Sequence, residues 1–365
     1  MRPRPRRHPP SHRSPVAGQR LGRRLAAVAA GACVLAGCTA QGPAAAARAG
    51  GTAHWRVAYQ AGTNGVQSVT ATAAGDAWAV GSAGSGPLVL HWDGRAWQAF
   101  PGPGVPDLAL VQVAASSPRD VWVLGEDTGG SDPVRSIYRW DGSGWRQMAG
   151  LPEFSYIAQM LVLGPDDVWV TTGSGGAGDE LYHFNGTGWT GYPDQLAGVS
   201  VLAGTAPADV WAAGWVYGGP AGRTQVAAAE RWDGSRWTRV TLPRLASAVS
   251  GIGMSSAADV WLGGAGFLLH WNGHSWRTLT APPGDGGDST QVVPDGHGGA
   301  WLGADTHWTG LVWVHENPPD GYSIDGGLAR VPGTSSYWAV GYGYVGTIGG
   351  SPMGGAVLAF GPLPF

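Results

Sequence analysis

The stretch "SPRDVWVLG" at residues 117–125 combines an acidic residue, a β-branched residue, a tryptophan and a glycine, and close relatives of it recur along the chain. The seven copies centre on Trp78, Trp122, Trp169, Trp211, Trp261, Trp301 and Trp338. They stand about 37 to 50 residues apart, which is the period of a four-stranded propeller blade. The sequence therefore predicts seven structural repeats.

A second motif follows each of the first five copies. It runs from an aromatic residue through Asp-Gly or Asn-Gly to another tryptophan, as in "YRWDGSGW" at residues 138–145. Asp-Gly and Asn-Gly between β-rich segments are hairpin signals, because these residues tolerate positive φ. Each repeat is thus predicted to hold four antiparallel strands, A to D. Strand B carries Asp-x-Trp, strand C ends at the aromatic residue, and strand D begins at the second tryptophan.

The two ends of the repeat region predict a closed ring. The last repeat, residues 331–365, has A, B and C strands but no D strand, whereas "HWRVAYQ" at residues 54–60 resembles a D strand. We expect residues 54–59 to pair with residues 357–360, because a closed ring leaves no open sheet edge. The predicted fold is all-β, a seven-bladed β-propeller whose last blade is closed by the N-terminal strand.

This pattern resembles the kelch-like and WD40-like β-propellers of exported bacterial lipoproteins of the actinobacterial type. The resemblance implies the fold and no single activity, since propellers serve as binding proteins, scaffolds and enzymes.

The recurrent aspartate and tryptophan are predicted to build blades. A carboxylate at the A–B turn accepts backbone N–H groups, and the tryptophan fills the wedge between neighbouring blades. Three histidines, His91, His183 and His270, share one repeat position with Arg139 and Arg231. A residue type set by register favours a structural hydrogen-bonding role over a catalytic one.

The N-terminus predicts export and a lipid anchor. The first 24 residues carry eight Arg and no acid, and an apolar run follows at residues 25–37. This arrangement is typical of an export signal, and the run is too short for a membrane-spanning helix. The following "LAGC" resembles the lipobox of bacterial lipoproteins, which implies a diacylglycerol on Cys38 and cleavage before it. A plain secretory peptide is the alternative.

Three segments follow from this interpretation: a lipoprotein signal peptide at residues 1–37, a flexible lipid-anchored linker at residues 38–52, and the propeller at residues 53–365. The predicted location is the extracytoplasmic side of the cell membrane, reached through the lipid on Cys38. Arg23 and Arg24 leave both Sec and twin-arginine export open.

Charge and cysteine content exclude several function classes. The chain has 22 basic residues against 25 acidic ones, and the predicted cleavage removes eight of the basic ones. The remaining acidic domain is repelled by phosphate backbones, so nucleic acid is not expected as a partner. Cys33 leaves with the signal, so no disulfide, cysteine-ligated metal or cysteine nucleophile is expected in the ring. We expect a monomer without a cofactor.

A binding module for a protein or glycan ligand is the predicted function, and a propeller-based enzyme acting on glycans is the alternative. An enzyme would need a nucleophile with a base, a metal cage or a cationic clamp at the mouth of the ring, and no such set stands out. Asp285 and Asp288 in "GDGGDST" form a minor candidate for Ca²⁺, with a solvated turn as the simpler explanation.

The variable connections predict which face binds. The A–B and C–D turns are short and repetitive, whereas the B–C and D–A connections differ in length and chemistry from blade to blade. Variable loops on a rigid scaffold are where specificity usually resides. The predicted binding residues, which stack against or hydrogen-bond the ligand, are Trp215, Tyr217, Trp308, Tyr342 and Tyr344, with Asp127 and Asp305 beside them.

Overall fold

The computed structural model describes most of the chain from residue 53 onward. The described residues are 53–84, 86–127, 129, 134–151, 156–173, 179–192, 196, 198–218, 222, 224–245, 247–282, 291–345 and 351–363. Cys38, with the predicted signal and linker, lies outside them, as do Asp285 and Asp288. In the described part of the chain, no helix is long and apolar enough to cross a membrane.

The described chain forms seven antiparallel sheets, which are the blades of an all-β propeller, and six of them are built from four consecutive strands. Strand β1 (Trp55–Gln60) belongs to the last blade. The strands of blades 1 to 3 are β2 (Gly65–Ala73), β3 (Asp76–Ala83), β4 (Gly86–Trp92), β5 (Trp97–Phe100), β6 (Leu108–Ser117), β7 (Asp120–Asp127), β8 (Arg135–Trp140), β9 (Trp145–Met148), β10 (Tyr156–Gly164), β11 (Asp167–Gly173), β12 (Asp179–Phe184) and β13 (Trp189–Tyr192).

The remaining blades follow the same order. Those of blades 4 to 6 are β14 (Gly198–Ala206), β15 (Asp209–Gly218), β16 (Thr224–Trp232), β17 (Trp237–Val240), β18 (Val249–Ser256), β19 (Asp259–Gly264), β20 (Phe267–Trp271), β21 (Trp276–Thr280), β22 (Val292–Pro294), β23 (Ala300–Leu302), β24 (Thr306–Trp308) and β25 (Trp313–His315). Blade 7 comprises β26 (Tyr322–Ser323), β27 (Leu328–Arg330), β28 (Tyr337–Val345), β29 (Ser351–Phe360) and β1. Its A strand is split, since β26 and β27 both pair with β28.

Ring closure occurs as predicted. β1 pairs antiparallel with β29, and the register runs from Trp55 opposite Phe360 to Gln60 opposite Ala356. Trp55 is 3% exposed and contacts the rings of Phe360 and Trp301 at centroid distances of 5.3 and 5.9 Å. The N-terminal strand therefore supplies both the last edge and a large buried side chain.

The Asp-x-Trp motif builds the same stack in successive blades. In blade 3, Asp167 accepts hydrogen bonds from Trp169 Nε1 (3.0 Å) and His183 Nε2 (2.8 Å), and the imidazole lies parallel to the indole at 4.1 Å. His91 and His270 bond the equivalent aspartates of their blades. The structural role predicted for these histidines is confirmed.

Arginine replaces histidine in two blades. Arg139 Nε donates to Asp120 at 2.8 Å, and Arg231 Nε donates to Asp209 at 2.9 Å, with each guanidinium over the adjacent tryptophan ring. The partners of these carboxylates are side chains, such as Ser116 Oγ, which bonds Asp120 at 2.5 Å. The predicted backbone N–H capping is therefore wrong for this motif, because the strand register brings side-chain donors to the carboxylate first.

Blade 6 makes the stack from a different sequence. Asp295, six residues before Trp301, accepts the backbone N–H groups of His297 (2.6 Å) and Gly299 (2.9 Å) and a bond from His307 Nε2 (3.1 Å). The His307 ring is stacked on Trp301 at 4.6 Å and 4°. The stack is conserved in geometry although Asp-x-Trp is absent from the sequence.

The aspartates of blades 5 and 6 are held in their charged form. Burial favours the neutral carboxyl, yet the hydrogen bonds from His270, Ser255 and Trp261 keep the pKa of Asp259 below its ordinary value. Burial likewise opposes ionisation of Asp295, and bonds led by that from His307 keep its pKa low as well.

The core consists of wedges between neighbouring blades. Trp169 of blade 3 is fully buried and meets Trp232 and Trp237 of blade 4, each at 5.4 Å. Trp338 of blade 7 meets Trp92 (4.9 Å) and Trp97 (5.0 Å) of blade 1 in the same way. These contacts confirm the predicted wedge-filling role of the repeated tryptophan, and they also join the last blade to the first.

Candidate functional site

The ring has two ends. We call the end with the A–B and C–D turns the turn face, and the end with the B–C and D–A connections the loop face. The Asp–Trp stacks lie toward the turn face, because the Asp begins strand B in blades 1 to 5 and lies in the A–B turn in blade 6. The residue types that differ from blade to blade lie at the loop face.

A cavity of about 830 Å³ lies inside the ring, walled by the A strands or the segments beside them. Every blade contributes a polar side chain to its lining: Gln67, Gln112, Gln159, Ser200, Ser250, Gln291 and Asp325. Other lining residues, Leu124, Glu126, Trp215 and Gln225, stand where B strands end and C strands begin. The cavity therefore lies inside the ring at its loop-face end.

Bulges in the A strands help to shape this wall. The pairing register shifts once near the start of the A strand in each of blades 1 to 5, and the extra residues are Gln67, Val111, Ala158, Ser200 and Ser250. A bulge leaves one residue outside the ladder and re-aims its side chain. All five line the cavity.

The residue after the bulge holds neighbouring blades together. Ser68 Oγ accepts the backbone N–H of Val113 in the next blade at 3.2 Å. Gln159 accepts the N–H of Leu202 (2.8 Å) and donates to its carbonyl (2.9 Å). At the equivalent place in blade 6, Gln291 Oε1 accepts the N–H of Leu328 at 2.7 Å. These polar groups are already used by the fold.

Gln112 occupies the same position in blade 2 and behaves differently. Its Oε1 is buried and has no hydrogen-bond partner among the described residues. An unpaired buried carbonyl oxygen costs about 1–3 kcal/mol, and in native structures such an atom calls for an explanation. Other atoms of Gln112 line the cavity, whereas its Oε1 is closed off from solvent, so a group bound in the cavity does not reach this oxygen.

The ionisable groups in the lining are both acidic. Glu126 is paired with Arg135, whose Nη2 lies 2.5 Å from Glu126 Oε1. Asp325 is exposed and accepts a long hydrogen bond from Ser323 Oγ at 3.3 Å. The described lining contains no Arg, Lys or His, and Arg135 offsets Glu126 from outside it, so Asp325 is the lining acid whose charge no described cation offsets.

Trp215 and Tyr217, two of the predicted binding residues, stand at this mouth. The sequence placed both in a loop, but β15 and β16 extend as a hairpin as far as Gly218 opposite Thr224. Trp215 lines the cavity, and its ring meets that of Tyr217 edge-on at 4.9 Å. A Cβ added at Gly198 would lie 2.4 Å from Trp215 Nε1, so glycine there lets the indole lie against strand β14.

Blade 7 brings the predicted Tyr342 and Tyr344 to the same face. Gln67 Nε2 donates to the Tyr342 hydroxyl at 3.2 Å, and Ser323 Oγ lies 3.4 Å from the Tyr344 hydroxyl. Gln67 itself lines the cavity, and Ser323 lies two residues before the lining residue Asp325. The two contacts therefore connect both tyrosines to the cavity wall.

The two predicted acids lie at the loop-face ends of their blades, outside the cavity lining. Asp127 is exposed at the end of β7, and its carboxylate accepts the N–H of Gly129 at 2.8 Å. Asp305 lies in the turn between β23 and β24, where Thr306 Oγ1 donates to it at 3.3 Å.

The loop placement predicted for Trp308 is wrong. Trp308 ends strand β24, pairs with Trp313, and is 7% exposed, with the guanidinium of Arg277 over its ring. It is the blade 6 equivalent of Trp140, which pairs with Trp145 in blade 2. The second motif is therefore present in blade 6 as "HWTGLVW", with Thr-Gly in place of Asp-Gly. Trp308 lies toward the turn face and packs in the core.

Sequence reasoning missed the glutamines of the cavity. An alignment of the A strands on Trp places Gln112, Gln159 and Gln291 at one repeat position, and this recurrence was a usable signal. No comparable signal distinguishes Gln112, because its missing partner is a property of the assembled ring. In the described part of the chain, no group of three or more His, Cys, Asp or Glu is placed to hold a metal ion.

No protein-family model matches this chain, and no curated protein sequence matches it either. Solved structures do match in fold. YCF48 from Cyanidioschyzon merolae is 14% identical with a TM-score of 0.53, and the match covers 85% of this chain and 99% of that one. YCF48 bound to D1 peptide is 14% identical with a TM-score of 0.51, covering 84% and 95%.

The fold also matches that of an enzyme. A puromycin-hydrolyzing peptidase from Mycobacterium tuberculosis is 13% identical with a TM-score of 0.51, covering 77% of this chain and 49% of that one. At such identities the likeness shows the fold alone, and this fold carries both binding proteins and enzymes.

Proposed function

We propose that this protein is a lipid-anchored, extracytoplasmic binding module that captures a ligand in the central cavity at the loop face. The observation that carries the proposal is the cavity itself, which collects polar side chains from all seven blades and a partly exposed indole at its mouth. A concave site of this size, with a few convergent polar groups and an aromatic wall, is the usual form of a ligand pocket.

The chemistry of the wall favours binding over catalysis. Glu126 is tied to Arg135, which leaves Asp325 as the one lining carboxylate not in a described ion pair, and the described lining offers no histidine or cysteine as a base or nucleophile. Structures of the same fold give precedent for a peptide ligand, since YCF48 is known with a D1 peptide bound.

The binding site is tested by calorimetric titration of the full-length chain in detergent against two panels, short peptides of mixed sequence and neutral oligosaccharides. We expect the wild type to bind a member of one panel, and Trp215→Ala to weaken that binding at least about tenfold. Leu311→Ala is the matched control, because Leu311 is 85% exposed at the C–D turn of blade 6, on the turn face. Equal binding by Trp215→Ala and wild type would place the site elsewhere.

The anchor rests on the "LAGC" motif and is tested separately. If Cys38 carries lipid, the full-length protein enters the detergent phase on partitioning, and Cys38→Ala either moves to the aqueous phase or accumulates as an unprocessed precursor. Normal processing and unchanged partitioning of Cys38→Ala would contradict the anchor and leave the cavity proposal untouched.

A further inference from the structure

We infer that the ligand of the central cavity is an extended peptide segment that inserts a lysine or arginine side chain into it. This inference rests on the proposed function of the cavity and adds the chemical class of the ligand. It follows from three properties of the described wall: its hydrogen-bonding balance, its aliphatic strips and the apolar surface around its mouth.

The wall offers a carboxylate that a cation can reach. Asp325 lines the cavity and is exposed, and its one described hydrogen bond, from Ser323 Oγ, is long at 3.3 Å. Protonated lysine and arginine side chains are donors only, so either can pair with this carboxylate without bringing a new acceptor into the cavity. An anionic group would find no cationic partner, because the described lining contains no Arg, Lys or His.

Aliphatic side chains lie between the polar groups. Val111, Ile157, Val201 and Val249 all line the cavity, and each belongs to the A strand of a different blade. Lysine and arginine bury their methylene stems along apolar surface while the charged head reaches polar partners. A fully hydroxylated sugar ring would set hydroxyl groups against these strips.

Aromatic and apolar groups around the mouth favour a peptide over a free amine. The Trp215 indole offers a face to a passing cation, and cations are attracted to indole faces. Beyond it, Tyr217 and Val134 are each 63% exposed and Met353 is 38% exposed, all near the ends of B or C strands at the loop face. These side chains lie outside the cavity lining, where residues flanking the inserted side chain would contact them.

The test selects peptides from a displayed random library on the full-length protein, with Trp215→Ala as the reference. Lysine and arginine are expected to be enriched on wild type relative to this variant. The strongest peptide is then made with glutamine replacing its cation, and its affinity is expected to fall about tenfold, because hydrogen bonds to charged groups are the stronger kind. Asp325→Asn should reduce that difference, with unchanged melting temperature. Leu311→Ala should leave it intact.

Several outcomes would overturn the inference. Equal affinity for the cationic and glutamine peptides, enrichment of Asp or Glu, or a preference unaffected by Asp325→Asn each contradict it. Spermidine competing as strongly as the peptide would show that a small amine is the ligand. Trp215-dependent binding of a neutral oligosaccharide without any cationic preference overturns the inference but leaves the proposed function standing. Absence of binding to every probe removes both.

Discussion

The two faces of the ring use the same residue types for different purposes. At the turn face, an aspartate, a histidine or arginine and a tryptophan form one stack in each of blades 1 to 6, and the tryptophans are at most 2% exposed. At the loop face, Trp215 and Tyr217 occur in one blade, and Tyr217 is 63% exposed. At the turn face, repetition thus serves packing, whereas the aromatic pair that occurs in one blade stands at the mouth of the cavity proposed to bind a ligand.

Opening the ring is expected to have the largest effect. Deletion of residues 53–60 removes β1 and the buried Trp55, exposing the edge of β29. The loss should exceed about 5 kcal/mol of unfolding free energy, because removal of a buried tryptophan alone costs about 3–5. Denaturant unfolding of the full chain and the deletion measures it. An unchanged transition midpoint would show that β1 is not part of the ring.

Breaking one stack should cost less than opening the ring. Asp120→Ala leaves the guanidinium of Arg139, whose side chain is 10% exposed, without its partner. We expect a loss of about 3–5 kcal/mol, the usual cost of stranding a buried charge. The control is Asp93→Ala in the exposed C–D turn of blade 1, where the carboxylate accepts backbone N–H groups of Arg95 and Ala96. Equal losses in urea unfolding would contradict the structural importance of the stack.

Acid should weaken the turn face. The pKa values of Asp259 and Asp295 are lowered in the folded state, so their stabilising contribution is complete above the unfolded value near 3.8 and is lost as the pH falls through the folded values. Unfolding free energy measured from pH 5 downward should therefore decline below about pH 4. Asp259→Asn should remove part of this decline. An equally steep decline of unfolding free energy in Asp259→Asn and wild type would show that Asp259 does not contribute to it.

The smallest expected changes in unfolding free energy concern Gln159 and Gln112, two glutamines at equivalent positions of blades 3 and 2. Gln159→Leu leaves the backbone N–H and carbonyl of Leu202 without their described partners and should cost about 1–3 kcal/mol. Gln112→Leu removes an oxygen that has no described partner and should cost close to nothing. Paired urea titrations decide this. Equal losses would mean that Gln112 is also a structural bridge between blades.

Most of the fold was predictable because its chemistry is local and repeated. Asp-x-Trp and the Asp-Gly or Asn-Gly hairpins mark strands in the order in which they occur, and the missing last D strand identified the partner of β1. The prediction failed at Trp308, where Thr-Gly replaces the expected turn and hides the second motif. The cavity escaped prediction because its wall takes one or a few residues from each of seven blades that are distant in sequence.

Two tryptophan substitutions separate ligand binding, proposed for the loop face, from core packing at the turn face. Trp215→Ala and Trp308→Ala are compared for thermal stability and for capture of ligands from the mixed panel of peptides and oligosaccharides. We expect Trp308→Ala to lose about 3–5 kcal/mol while its folded fraction still captures ligand. We expect Trp215→Ala to stay within about 1 kcal/mol of wild type but to lose capture. A destabilised Trp215→Ala that still captures ligand when folded would contradict this separation.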